Sequence, residues 1–285
     1  MSAKKTGPSR MIDLWNPPTW EIPVARVISD VVPAKVRRRL LDVPAKEMYD
    51  DTVRYLDEAL AEEKCAPVQM LLPELRAGYE RVFDSLRGFH ACKPTSLDSY
   101  LQEGLKPLDR KWLEEEAFAL FEGTIPRPDI ATAAREADLD LREGKIFLEA
   151  SRDVLTEFAG HYLVYGPEAM NCLWHNDEAR FHESQVRQRR RGIPTIFECA
   201  VPLRMIDDDF RDPLVYTLTT LHFKRCSRIP EEEQGADEWG FSVSRPLPPT
   251  CILGHTHPAV ISDPLQHGME YESPATVCSW CSRLR

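Results

Sequence analysis

The chain has 285 residues, 42% of them hydrophobic and 29% charged, with a formal net charge of −10. This is the composition of a folded chain rather than a disordered one, long enough to bury a substantial core in one large domain or two small ones. The acidic balance repels polyanions, and the one basic run, Arg187, Arg189, Arg190 and Arg191, serves equally well as the positively charged end of a helix, so nucleic acid is a poor candidate partner.

The first residues, MSAKKTGPSRMIDLW, lack the apolar stretch of a secretory signal. No window approaches the roughly 18 apolar residues needed to cross a bilayer. The expectation is a cytoplasmic protein without a membrane segment. Six of the eight cysteines are scattered singly, several inside apolar runs (FHAC, NCLW, FECAV), where a reducing compartment makes them small buried hydrophobes. Cys278 and Cys281 form the one close pair.

Along the chain, residues 1–43 are punctuated by prolines (NPPTWEIPV, VVPAKVRRRL), which predicts an extended segment. Tyr49, Val53, Leu56 and Leu60 share one helical face. A second helix is expected after Pro73, a residue suited to a first turn, with Leu75, Tyr79, Val82, Phe83 and Leu86 on one side. Residues 44–87 thus read as a helical N-terminal layer. GFHAC (88–92) reads as a strand, followed by a sharp turn at Lys93-Pro94 and a short helix with Leu97, Tyr100 and Leu101 buried and Gly104 as its terminator. Helices are expected over 110–121 and 129–142, a strand over 145–149, a short helical piece from Arg152, and mostly helix over 167–191. Strand patterns then cover 194–203, 220–226, 239–245 and 251–255, with the acidic loop EEEQGADE at 231–238. Helices first and strands later predict an α+β fold with a core over 88–285. Phosphate-binding glycine loops are absent from the sequence.

GFHACKPTSLDSYLQEGL (88–105) resembles the opening segment of the diphtheria-toxin and poly(ADP-ribose) polymerase class of ADP-ribosyltransferases: a strand bearing His and small residues, a short helix, then Gly. KIFLEASRDVLTEFAGHYLVYG (145–166) is similar in layout to the second segment of that class. The resemblance implies a split, mixed β-core and NAD as the substrate. It implies His90 as the ribose anchor, beside small Ala91 and Cys92 that let nicotinamide approach the backbone. It further implies Tyr162 as the stacking ring, with Phe147 or Leu148 where the class often has another tyrosine. Glu238, before WGFSVSR, corresponds to the glutamate that stabilises the reacting ribose; Glu198 is the runner-up. Arg152 is a candidate for the pyrophosphate by its charge alone. The implied activity is mono-ADP-ribosyl transfer to an acceptor, a protein placed first, or NAD glycohydrolysis. A non-catalytic binding or regulatory module of the same class is the alternative.

Two other constellations compete. His255 and His257, two apart, would point the same way on a strand, and Cys278-x-x-Cys281 has the spacing of a zinc knuckle, so the four residues could complete a tetrahedral structural site. Against it, there is one CxxC alone, and the first-choice site reading contains no metal. Cys92, two residues from His90, could pair with it as a nucleophile, but the sequence shows no electropositive setting for a thiolate.

Overall fold

In a computed structural model the described residues are 10–43, 51–227, 239–274, 278, 280 and 281. The chain divides into two units, the first comprising Met1–Arg87 and Ala200–Trp239, the second Gly88–Cys199 and Gly240–Arg285. Residues 200–239, read from the sequence as part of the 88–285 core, cluster with the first unit.

Strand β1 (Met11–Ile12) pairs in parallel with the start of β2 (Ser85–Cys92), Met11 opposite Ser85. The proline-punctuated segment expected to be extended instead forms two helices, α1 (Glu21–Val31) and α2 (Ala34–Leu41). The prolines do not prevent this: Pro23 lies in a first turn, where no intrahelical N–H partner is required, and Pro33 immediately precedes α2. Their apolar positions Val24, Val27, Ile28, Val36 and Leu40 are all buried.

Helix α3 (Thr52–Glu62) carries the expected buried Leu56 and Leu60, and is capped by Asp51, whose side chain accepts from the Arg54 amide. The first part of that expectation, residues 46–50, lies outside the described residues. Helix α4 (Val68–Val82) begins a turn and a half before Pro73, which sits inside it. The Asp57 carboxylate accepts from the Val68 amide at 2.7 Å, satisfying an orphan donor of the extra turn. Gly78 lets α4 meet α1 closely, since a Cβ there would overlap the Val27 side chain.

In the second unit, α5 (Asp98–Glu103) follows β2 and ends at Gly104, φ +86°, where a Cβ would overlap the Leu247 carbonyl. Helices α6 (Arg110–Leu120) and α7 (Arg127–Glu136) pack Leu113, Phe121 and Ile130 around buried Trp174. Then come β3 (Ile146–Glu149), α8 (Arg152–Glu157), α9 (His161–Val164), α10 (Glu168–Cys172), α11 (Glu178–Arg190) and β4 (Thr195–Pro202).

The chain next contributes α12 (Asp208–Cys226) to the first unit. The strand expected over 220–226 is therefore helix. Val215, Thr217, Thr219 and Thr220 favour a strand locally, but Leu214, Leu218 and Leu221 are buried at helical spacing and Asp208 and Asp209 complement the N-terminal dipole. Thr219 donates back to the Val215 carbonyl and pairs with the Tyr79 hydroxyl at 3.1 Å.

The remaining strands are β5 (Gly240–Val243), β6 (Ile252–Thr256), β7 (Val260–Asp263) and β8 (Met269–Glu272). The sheet order is β5-β3-β2-β4-β6, with β3–β5 and β4–β6 antiparallel, so the fold is α+β. The β7–β8 hairpin forms a separate two-stranded sheet, turned by His267 and Gly268 at positive φ. It was not legible from ISDPLQHGMEYE. None of the described helices is long and apolar enough to cross a membrane.

Burial pushes the His222 imidazole down to about 4, partly opposed by Glu21. Its unfolded value is about 6.5, so the unfolded chain takes up a proton that the folded one refuses as pH falls between those values. The first unit should therefore lose stability from pH 6.5 to 4. In urea titrations at pH 7 and 4.5, His222→Leu should shrink the shift in midpoint; an unchanged shift contradicts the assignment.

Candidate metal centre

Of the residues that the resemblance implies, His90 and Phe147 meet, through the Phe147 carbonyl. His90 is half-buried on β2, with Nδ1 2.9 Å from the Phe147 carbonyl, to which it must donate. Burial holds its imidazole below the ordinary range, against that hydrogen bond. The neutral ring therefore presents Nε2 as an acceptor. Phe89 and Ala91 pack with Leu163 and Val164 of α9, whereas a Cβ at Gly88 would meet Phe241 and Leu148. By strand alternation His90 shares the Gly88 face, opposite the face covered by α9, which carries Tyr162.

Tyr162 has other partners. Its hydroxyl lies 3.4 Å from Glu168 Oε2, its ring lies 4.0 Å from that of His161, and burial pushes its phenol up to about 12. Arg142 holds Glu168 through contacts of 2.7 and 3.0 Å. Phe147 is 42% exposed, and Arg152 is exposed at the start of α8. Cys92 is buried, and burial, then Cys199, push its thiol up, so a Cys92 thiolate is disfavoured. Glu198 lies on β4 beside a bulge. Glu238 lies outside the described residues.

The rival constellation does converge. His255 is on β6, paired with Phe197 of β4, and His257 follows one residue beyond the strand, held extended before Pro258. Their rings are 5.2 Å apart. One ligand atom from each of His255, His257, Cys278 and Cys281 lies within 4.8 Å of all the others. His255 Nε2 is 3.4 Å from Cys278 Sγ and 3.2 Å from Cys281 Sγ. A tetrahedral ion with Zn–S of about 2.3 Å and Zn–N of about 2.0 Å sets N···S edges at about 3.5 Å, so these separations suit one shared ion.

The surroundings add two features of metal sites. The Cys281 amide donates to Cys278 Sγ at 3.4 Å, which disperses charge on a ligating sulfur. His257 Nδ1 is 3.0 Å from the Pro194 carbonyl and 3.3 Å from Thr195 Oγ1, so Nδ1 carries the hydrogen. That fixes the tautomer and turns the lone pair of Nε2 outward, as the hydrogen-bonded nitrogen of a ligating imidazole does. Nε2 is itself buried with no hydrogen-bond partner among the described residues, an arrangement that a metal bond would satisfy. Burial and His257 keep the His255 ring below its ordinary range, favouring the neutral form that ligates. Four protein donors leave no open position, the mark of a structural rather than a catalytic ion. The spacings HxH and CxxC were visible in the sequence; that a chain separation of more than 20 residues closes between them was not.

A second polar cluster lies under the β7–β8 hairpin. Lys93 Nζ donates to the carbonyls of Val164 (2.7 Å), Gln188 (3.0 Å) and Arg189 (2.9 Å), at the ends of α9 and α11. Burial and Arg189 push Lys93 down to about 7, while three carbonyl acceptors favour the ammonium with its three donors. Buried Asp263 accepts from Tyr165 at 2.7 Å and pairs with Arg189.

No protein family matches the chain, and no curated protein or solved structure matches it.

Lys93→Met should remove a donor shared by three helix-end carbonyls, of which Arg189 keeps the Tyr271 hydroxyl and Gln188 the Arg191 amide, and lower unfolding stability by about 1–3 kcal/mol. Chemical denaturation checks this, and a loss below about 0.5 kcal/mol contradicts the role given to Lys93.

Proposed function

We propose that the second unit holds a structural zinc ion through His255 Nε2, His257 Nε2, Cys278 Sγ and Cys281 Sγ. The observation that carries this reading is the convergence of the four donor atoms within 4.8 Å. Two thiolates and two imidazoles in tetrahedral array suit zinc better than the hard, oxygen-seeking cations. The charge of the ion offsets that of two thiolates. Its work is to fasten the Cys278–Cys281 pair to β6, in place of a disulfide that a reducing compartment does not sustain.

Protein purified without chelator or metal-binding tag should contain one zinc per chain by elemental analysis. Cys278→Ser and Cys281→Ser should each remove most of it. Chelation of the wild-type protein should lower its stability by more than about 3 kcal/mol, because metal binding free energy contributes directly to folding. A chain free of zinc, whose thermal midpoint ignores the chelator, sinks the reading.

A second reading, cleavage of the nicotinamide–ribose bond of NAD by an ADP-ribosyltransferase-like unit, is favoured by one local feature. Residues 85–105 fold as a strand, turn, short helix and positive-φ Gly104, the layout on which that resemblance rests. In this reading His90 anchors ribose, Glu238 stabilises the developing cation and a protein acceptor takes the ADP-ribose. Nicotinamide should be released from NAD by the purified protein and not by Glu238→Gln. Absence of turnover and of NAD binding would exclude both the enzyme and the NAD-binding module.

A further inference from the structure

The residues around the zinc ligands lead, by three separate routes within the second unit, to the turn between β2 and α5. The first runs through the C-terminal pair. Trp280, between Cys278 and Cys281 in the chain, donates from Nε1 to Asp98 Oδ1 at 3.0 Å. Asp98 opens α5, its other carboxylate oxygen accepts from Ser96 at 3.0 Å, and its amide donates to the Ser96 hydroxyl at 3.1 Å.

The second route runs through rings. Phe197, the cross-strand partner of His255, lies 6.1 Å from the imidazole and stacks on Tyr100 of α5 at 5.1 Å and 20°. Phe197 is fully buried, so a displacement of His255 has no solvent gap in which to dissipate. Tyr100 in turn interacts electrostatically with Cys92, at the end of β2. The third route is main chain. His257 Nδ1 donates to the Pro194 carbonyl, and the preceding residue, Ile193, donates its amide to the Pro94 carbonyl at 2.8 Å.

Helix α5 has six residues, none of them buried, and is too short to persist by its own hydrogen bonds. Its far end is anchored independently, by the Leu105–Leu247 bridge. Lys93 is held separately, by the carbonyls of α9 and α11. Beyond it, the contacts of Pro94, Asp98 and Tyr100 lead to zinc ligands or to the residue between them. We infer that zinc occupancy sets the order of residues 95–101, making the metal centre a latch for the start of α5 as well as for the Cys278–Cys281 pair. This rests on the zinc reading above. The latch works because the His255–His257 pair and the cysteine pair come from separate stretches of chain, and the ion is what joins them.

Amide exchange of the full chain, zinc-loaded and after chelation, tests this. Without zinc, exchange over 95–101 should quicken about five- to tenfold, the weight of about one lost hydrogen bond, while α6 and α7 are unchanged. Trp280→Phe, which keeps every ligand, should retain its zinc and still quicken exchange over 95–101. Should chelation loosen the entire unit, α6 and α7 included, that variant decides alone. Exchange that rises only over 252–281, or a zinc-loaded Trp280→Phe protein with unchanged exchange at 95–101, overturns the latch and leaves the zinc site standing. A chain that binds no zinc overturns both.

Discussion

Strand β6 pairs with β4 in a register that sets His255 opposite Phe197, and that pairing fixes where an imidazole can stand. A slip of one residue would carry His255 to the other face of the sheet. The next constraint is the hydrogen bond from His257 to the Pro194 carbonyl, which leaves the second imidazole one free nitrogen and one direction. With two nitrogens so fixed, the cysteine pair brings its sulfurs to the same point. On the histidine side the β4–β6 ladder and the proline after His257 restrict the backbone before any ion binds.

A centre of this kind explains an arrangement that apolar packing alone does not. Among the described residues of the second unit, one apolar cluster surrounds Trp174 and another links β2 and β4 to α9 and the hairpin, and neither includes Cys278 or Cys281. Burial of one cysteine and part of another supplies on the order of 1–2 kcal/mol, too little to order this segment against an entropy of about 1–2 kcal/mol per residue. In the proposed reading a metal bond supplies the difference.

Much of the fold was legible in the sequence because its signals were local. The helical face of Leu56 and Leu60, the strands around Phe89, Leu148 and Phe197, and the terminator role of Gly104 each follow from periodicity or from a residue with positive φ. What failed was non-local. The helix over 208–226 is fixed by packing of Leu218 and by the Tyr79–Thr219 bond, 140 residues apart in sequence, and its β-branched content points the other way. The N-terminal helices fail the reading for a related reason, since prolines break a helix only where an N–H is needed. For the site, spacing within HxH and CxxC was plain, but no periodicity says that the two pairs meet. The similarity at His90 and Tyr162 was a layout of elements, and layout does not fix which face of a strand a side chain occupies.

The claim that four named donors share one zinc ion is tested most directly by X-ray absorption at the zinc edge on the untagged, full-length chain. The account expects a four-coordinate ion with two sulfurs at about 2.3 Å and two imidazole nitrogens at about 2.0 Å. A shell of oxygens and nitrogens without sulfur, or coordination that survives replacement of both Cys278 and Cys281, would contradict it.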